Sequence, residues 1–301
     1  MIPKTFRSCE LQLITPCFCA GADQMAAELR IPSFRGELRW WFRCLGGTRE
    51  QESAVFGSSA GKGRASGVAL RVLNIKNRKE SYSYKTENSP PKNPNSGYIT
   101  YFLNERASGA RAALPPGTRF TLELNQLREI AAPELSLLEL AWSCLCNLGA
   151  IGARKTRALG AYAPFNQNEQ KVPELLHHPI VCRYFRQMRL MSLSGCDSYL
   201  EPEDTRRILT HCARILYGYR RDNRIHPTGS NKKKSAPQEE LNPEKEHYFG
   251  TSVLGNAIRG RQSSAVRFRP VLVDNKLQLC ILKAPDITLS AEARKHDIDS
   301  L

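Results

Sequence analysis

Over the first 165 residues the hydrophobic period switches from two to about 3.6 and back, and then does so again. That order constrains the fold more than any other feature of the chain. Residues 5–14 come to alternate, with Cys9, Leu11 and Leu13 on one face and Glu10 and Gln12 on the other. A strand with one face on a core reads this way, and Thr15-Pro16 ends it. After a loop holding Gly21, Ile31-Pro32-Ser33 opens a helix with Ser33 as the expected N-cap. Phe34, Leu38, Trp41, Phe42 and Leu45 recur at helical spacing until Gly46-Gly47. Strands are expected at Val68–Leu73, Tyr98–Leu103 and Arg119–Leu124. A second helix, with Pro133 in its first turn, runs through Leu148 to Gly149, and a last strand covers Leu159–Phe165. The order is βαββαβ, an α+β, ferredoxin-like (RRM-like) domain over residues 1–165.

Residues 166–301 are less regular and predict a second, degenerate ferredoxin-like domain, making a tandem. Glu203–Tyr217 reads as a helix with acids in its first turn and Gly218 as its stop. A hairpin is expected across the turn signal Asp274-Asn275, between strands at 265–273 and 277–282. The charged stretch 220–246, centred on Lys232-Lys233-Lys234, reads as a flexible loop. The polar, proline-broken stretch 74–97 reads as an insertion.

The charge balance points to a partner class. Lys and Arg total 44 against 29 Asp and Glu, a net charge of +15 that favours polyanions. No run approaches the roughly 18 apolar residues that span a bilayer, and no secretory signal opens the chain, so a cytoplasmic, soluble protein without a membrane role is expected. The ten cysteines include C-x-C pairs at Cys17/Cys19 and Cys144/Cys146 but no C-x-x-C. Reduced core thiols are expected, with no metal and no cofactor.

Three segments concentrate the cations. Within 33–43, Arg35, Arg39 and Arg43 fall at i, i+4 and i+8, a basic ridge on a helix that starts near Ser33. Trp40 lies off the apolar stripe, where it would stack on a base or pack against a neighbouring subunit. Next, Gly149 to Gly160 combines Gly152 with Arg154, Lys155 and Arg157. Glycines let a backbone approach a phosphate, and the Walker pattern G-x-x-x-x-G-K-[ST] is absent, so a sequence-blind clamp on RNA fits better than nucleotide hydrolysis. Last, Arg259-Gly260-Arg261 precedes a strand with Arg267 and Arg269 on one face, either a basic surface along a backbone or simply the solvent side.

Ile14-Thr15-Pro16 with Gly21-Ala22-Asp23, Ile31 through Trp41, Val55-Phe56-Gly57-Ser58, and Leu148 through Ala161 together resemble the RAMP superfamily of CRISPR proteins. Within it the resemblance runs closest to the first subunit of the type III-B (Cmr) effector complex. It implies paired ferredoxin-like folds in a ribonucleoprotein that uses a CRISPR RNA guide against invader RNA in antiviral defence. Ser33, Arg35, Arg39, Gly152, Arg154, Lys155 and Arg157 would then face the guide or the target RNA, beside other subunits of the effector. In that family the target-cutting aspartate belongs to the repeated backbone subunit. The expectation is thus a non-catalytic subunit. Two alternatives stand beside it: a metal-dependent RAMP endoribonuclease using Asp23, and a stand-alone basic RNA-binding protein. The six histidines lie in the second half, away from the strongest basic segments; His177-His178 reads as a helix end, and Glu201, Glu203 and Asp204 as helix-start acids.

Overall fold

The computed structural model describes residues 4–23, 26–60, 63–76, 94–100, 103, 111–193, 195, 196, 198–222 and 266–285. The first sheet comprises β1 (Lys4–Leu13), β2 (Val68–Lys76), β3 (Arg119–Gln126) and β4 (Tyr162–Pro164), in the order β2-β3-β1-β4 with every neighbour antiparallel. Helix α1 (Ile31–Cys44) follows β1, α2 (Arg49–Phe56) and the short α3 (Gly97–Thr100) lie on either side of β2 in the chain, and α4 (Ala132–Leu148) follows β3. With α2 and α3 set aside, the strands and the two long helices of this unit run βαββαβ. Cys9, Leu11 and Leu13 of β1 and Phe120, Leu122 and Leu124 of β3 bury one sheet face against Phe34, Leu38 and Trp41 of α1 and Leu138 and Leu145 of α4. Each such side chain contributes roughly 1.5–3 kcal/mol.

Helix α5 (Val172–His177) and α6 (Pro179–Tyr184) lead to a second sheet, made of β5 (Met188–Ser192), β6 (Val266–Val273) and β7 (Lys276–Lys283) in the order β5-β7-β6. Both neighbour pairs are antiparallel. With helix α7 (Pro202–Asp222) after β5, this repeats the order and polarity of β1, α1, β2 and β3 in the first unit. The β6–β7 hairpin turns at Asp274 and Asn275, both at positive φ (49° and 60°), the geometry that joins two strands in two residues. Alternate residues of β6 belong to two different hydrophobic clusters. Val271 and Val273 pack with the first sheet and its helices, Val266, Phe268 and Leu272 with α7. Both faces of the second sheet are therefore covered.

Several local expectations are corrected. The segment at Tyr98 is a helical turn, not a strand: Gly97 N donates to Asn95 Oδ1 and Thr100 Oγ to Ser96 O, so the preceding Asn-Ser pair winds the chain. Ser33 is not the N-cap; Pro32 in the first turn sets the start at Ile31, and Arg30 occupies the cap. Gly218 does not stop α7, which continues to Asp222. Most of 74–97 and of 220–246, together with Arg259-Gly260-Arg261, lies outside the described residues. Among the described residues no helix is long and apolar enough to cross a membrane. All ten cysteines are free thiols, nine of them buried.

Candidate nucleic-acid interface

Two of the three cationic segments meet in one place. An open groove of about 440 Å³ is lined by Phe18, Cys19 and Ala20, by Pro32, Ser33 and Gly36 of α1, and by Ile151, Gly152, Ala153 and Lys155 of the glycine loop. The loop owes its shape to backbone bonds at both flanks. Ala153 N donates to Phe18 O (2.9 Å), Gly160 N to Pro16 O (2.9 Å), and Thr15 Oγ to Ala158 O (2.7 Å). On its far side Ala158 N donates to Phe268 O and Phe268 N to Thr156 O, so the loop runs as an extra ribbon along β6. Gly152 and Gly160 have φ of 84° and 64°, and a Cβ on Gly160 would lie 1.8 Å from Ile151 O. Only glycine fits there. Arg154, at φ 59°, and Arg157 are half-buried in this loop.

Beneath the groove lies a buried charge cluster that joins all three cationic segments. Glu37, fully buried on α1, accepts from Lys155 Nζ at 2.7 Å through one oxygen, and from Arg267 Nη1 and Arg269 Nη2, each at 3.2 Å, through the other. Burial alone would raise the Glu37 carboxyl; Arg267, Lys155 and Arg269 instead hold it below its ordinary value, so it is ionised at neutral pH. Burial lowers the Arg267 guanidinium to about 10, with Glu37 acting in the opposite direction, and it stays charged. Arg269 also donates to Leu148 O at 3.0 Å and to Lys155 O, tying the end of α4 to the loop. The Arg267 guanidinium carbon lies over Trp40, 3.3 Å from the ring centroid, while Trp40 packs edge-on to Trp41 and Phe185. Cys19 sits 3.6 Å from Ser33 Oγ at the groove wall; the Cys17 thiol beside it brings Cys19 down to about 6, against the upward effect of burial.

The sequence-derived residues therefore separate into three groups. Ser33, Gly152 and Lys155 share the groove, and Arg154 and Arg157 belong to the same loop but are not among the groove's lining residues. Arg39 and Arg43 reach across to α2, where both meet Glu52 (2.7 and 3.3 Å), and Arg35 donates to Phe56 O at 2.5 Å, so the ridge flanks the groove without lining it. Arg267 and Arg269 do not form an open basic face or a solvent side. They are 4% and 0% exposed, because the face of β6 that carries them is covered by the first unit. Trp40 is likewise engaged within the chain. Asp23 is exposed in the loop after β1, and among the described residues no three His, Cys, Asp or Glu stand together as metal ligands. His178 caps α6, accepting from Ile180 N through Nδ1, and Glu203 and Asp204 occupy the first turn of α7. His226, His247 and His296 lie outside the described residues. The open face of the first sheet pairs Ser8 with Glu123 and Glu10 with Thr121, hydroxyls and carboxylates where a base-stacking sheet carries aromatic rings. Sequence reasoning missed Glu37 and Gly36.

Comparison with known proteins gives a family. The CRISPR system Cmr subunit Cmr1-1 of Pyrococcus furiosus is 31% identical over 147 residues, 44% of this chain and 40% of that protein, so the match spans less than half of the relative. Cmr subunit Cmr1-2 of the same organism is 29% identical over 180 residues, 50% of this chain and 91% of that protein. The fold resembles that of the apo crystal structure of Pyrococcus furiosus Cmr1, with TM-score 0.53 and 21% identity over 97% of this chain and 91% of that one. A chain of the type III-B Cmr-beta structure bound to cognate target RNA and AMPPnP in the presence of ssDNA follows with TM-score 0.52 and 12% identity, covering 93% and 94%. The similarity to first subunits of the Cmr system that the residues suggested is thus present in sequence and in fold. The RAMP superfamily model matches residues 10–163, from within β1 into β4, and by that match the chain belongs to the RAMP superfamily.

Proposed function

We propose that this chain is a non-catalytic subunit of a type III CRISPR effector ribonucleoprotein, and that the groove between α1 and the glycine loop grips the sugar–phosphate backbone of the guide or target RNA. The observation that carries the reading is the convergence of Ser33 and Gly36 with Gly152 and Lys155 on one groove above a cation-rich cluster. Main-chain walls and positive charge suit a phosphate chain held irrespective of base. We read residues 1–165 and 166–301 as two ferredoxin-like units, the second degenerate; the repeated strand order of the two sheets supports this. The similarity to Cmr first subunits supports neighbours from the same complex.

The test is the double variant Arg154→Ala/Arg157→Ala, titrated against unrelated single-stranded RNA sequences at several salt concentrations. Binding weakens for all sequences alike, and the slope of log K against log salt shrinks by about 1.4, at roughly 0.7 for each phosphate of a single strand that is no longer neutralised. An unchanged slope removes the loop from the interface. Affinity capture of the full chain, with sequencing of co-purified RNA and identification of partner proteins, tests the assembly itself: recovery without RNA and without CRISPR subunits would defeat it.

A further inference from the structure

Gly36 is a glycine that the fold does not require. It lies inside α1, where glycine is the least favourable residue after proline, and it is exposed. A Cβ built on it meets nothing within 4 Å among the described residues. The neighbouring structural glycines behave otherwise: on Gly149 a Cβ would strike Leu145 O and the Tyr162 hydroxyl, on Gly152 Phe18 O, on Gly160 Ile151 O. Alanine would therefore fit at 36 and favour the helix. What the glycine provides is bare main chain on the groove wall, facing space bounded by Ser33, Gly152, Ala153 and Lys155.

The charge at this spot is equally one-sided. The residue after Gly36 is Glu37, whose single carboxylate is shared by Lys155, Arg267 and Arg269. Three cations against one anion leave a surplus of two positive charges beneath the groove. Arg267 Nε is buried there with no hydrogen-bond partner among the described residues. Lys155, about one-third exposed, carries that surplus into the groove.

We propose that one ribose–phosphate unit of bound single-stranded RNA packs directly on the α1 main chain at Gly36, its phosphate held by the surplus charge of the Glu37 cluster through Lys155. This rests on the reading that the groove holds RNA, and assigns Gly36 as the position that sets how closely the backbone approaches. The contact is to phosphate and sugar, so it is blind to base identity.

The test compares the wild-type full chain with Gly36→Ala and Gly36→Leu, by fluorescence anisotropy against a fluorescein-labelled single-stranded RNA and by thermal melting of the same samples. Gly36→Ala raises Tm by roughly 2 °C, from helix propensity alone, yet weakens binding about tenfold, the effect expected when a methyl group intrudes on a packed contact. Gly36→Leu weakens it further. Undiminished binding by Gly36→Ala overturns the proposal, and so does a lowered Tm, which would make the glycine a need of the fold. The two readings fail separately. If wild-type binds, Arg154→Ala/Arg157→Ala does not, and Gly36→Ala binds as wild-type does, only the Gly36 assignment is lost. If wild-type does not bind the RNA, the groove reading falls and takes this inference with it.

Discussion

Replacing Glu37 by Gln removes the one negative charge from a buried set of three cations while keeping the side chain's size. Removing one partner of a buried ion pair costs about 3–5 kcal/mol, because the remaining charge stays desolvated and uncompensated. Three cations do not triple that figure. Lys155 is 34% exposed and can turn its ammonium to water. Arg269 keeps the carbonyls of Leu148 and Lys155. Arg267 keeps the face of Trp40 and the uncharged amide oxygen of Gln, its Nε has no hydrogen-bond partner among the described residues, and it bears most of the loss. The expected destabilisation is thus about 3–5 kcal/mol, or a fall in Tm of roughly 6–10 °C for a chain this long. Urea unfolding followed by tryptophan fluorescence measures it.

Glu52→Gln is the internal comparison. Its partners Arg39 and Arg43 are 39% and 46% exposed, and their loss costs under about 1 kcal/mol. The pH dependence supplies a second readout. The Glu37 carboxyl is depressed in the folded state, so its contribution is fully present above the unfolded value of about 4.3 and is lost as pH falls through the lower folded value. Wild-type stability therefore drops more steeply than that of Glu37→Gln on acidification below about pH 4.3. A Glu37→Gln loss no larger than that of Glu52→Gln would refute the idea that this carboxylate binds α1, the glycine loop and β6 together.

Two shorter tests follow. Gly160→Ala, at φ 64° with its Cβ 1.8 Å from Ile151 O, destabilises by roughly 3 kcal/mol or more, read from circular-dichroism melting; wild-type stability would mean the loop is built differently. Cys19, on the groove wall but only 4% exposed, is alkylated slowly by iodoacetamide, and bound RNA slows this further because Cys19 lines the groove; peptide mass spectrometry after timed labelling measures it, and a rate indifferent to RNA would count against occupancy of the groove.

Much of this was legible in the chain, and what was not has a common cause. Period two in β1 and period 3.6 in α1 and α4 survive in the fold because one sheet face meets one layer of helices. The Asp274-Asn275 turn was readable because both residues tolerate the positive φ a two-residue hairpin needs. The alternation of Arg267 and Arg269 with Val266 and Phe268 was equally real, but the rule that turns it into an exposed face assumes one solvated side. The second sheet is covered on both, and the arginines lie inside. Glu37 carried a signal that went unused: it stands three residues after Phe34 and four before Trp41, on the apolar stripe itself. A carboxylate at such a position is buried and must find cations. The convergence of 33–37, 152–157 and 267–269 depends on the glycine loop pairing with β6, a long-range pairing that no local pattern encodes.

The cluster changes what the net charge of +15 means. Five of the cations assigned to RNA from sequence are engaged by acids of the same chain, Arg39 and Arg43 by Glu52, and Lys155, Arg267 and Arg269 by Glu37. In neither set is the acid a match for its partners, so each remains positive after its internal pairing. An acid outnumbered by bases fixes long side chains that would otherwise lose rotamer freedom when an anion arrived, while leaving positive potential for that anion to meet. Full neutralisation would have cancelled the field, and lone lysines would have left the entropy to be lost on binding. Since Glu37 joins three segments that are far apart in sequence, the geometry of the groove and the charge beneath it depend on the same side chains. A change that loosens the cluster should therefore weaken RNA binding even where no side chain in the groove has been altered.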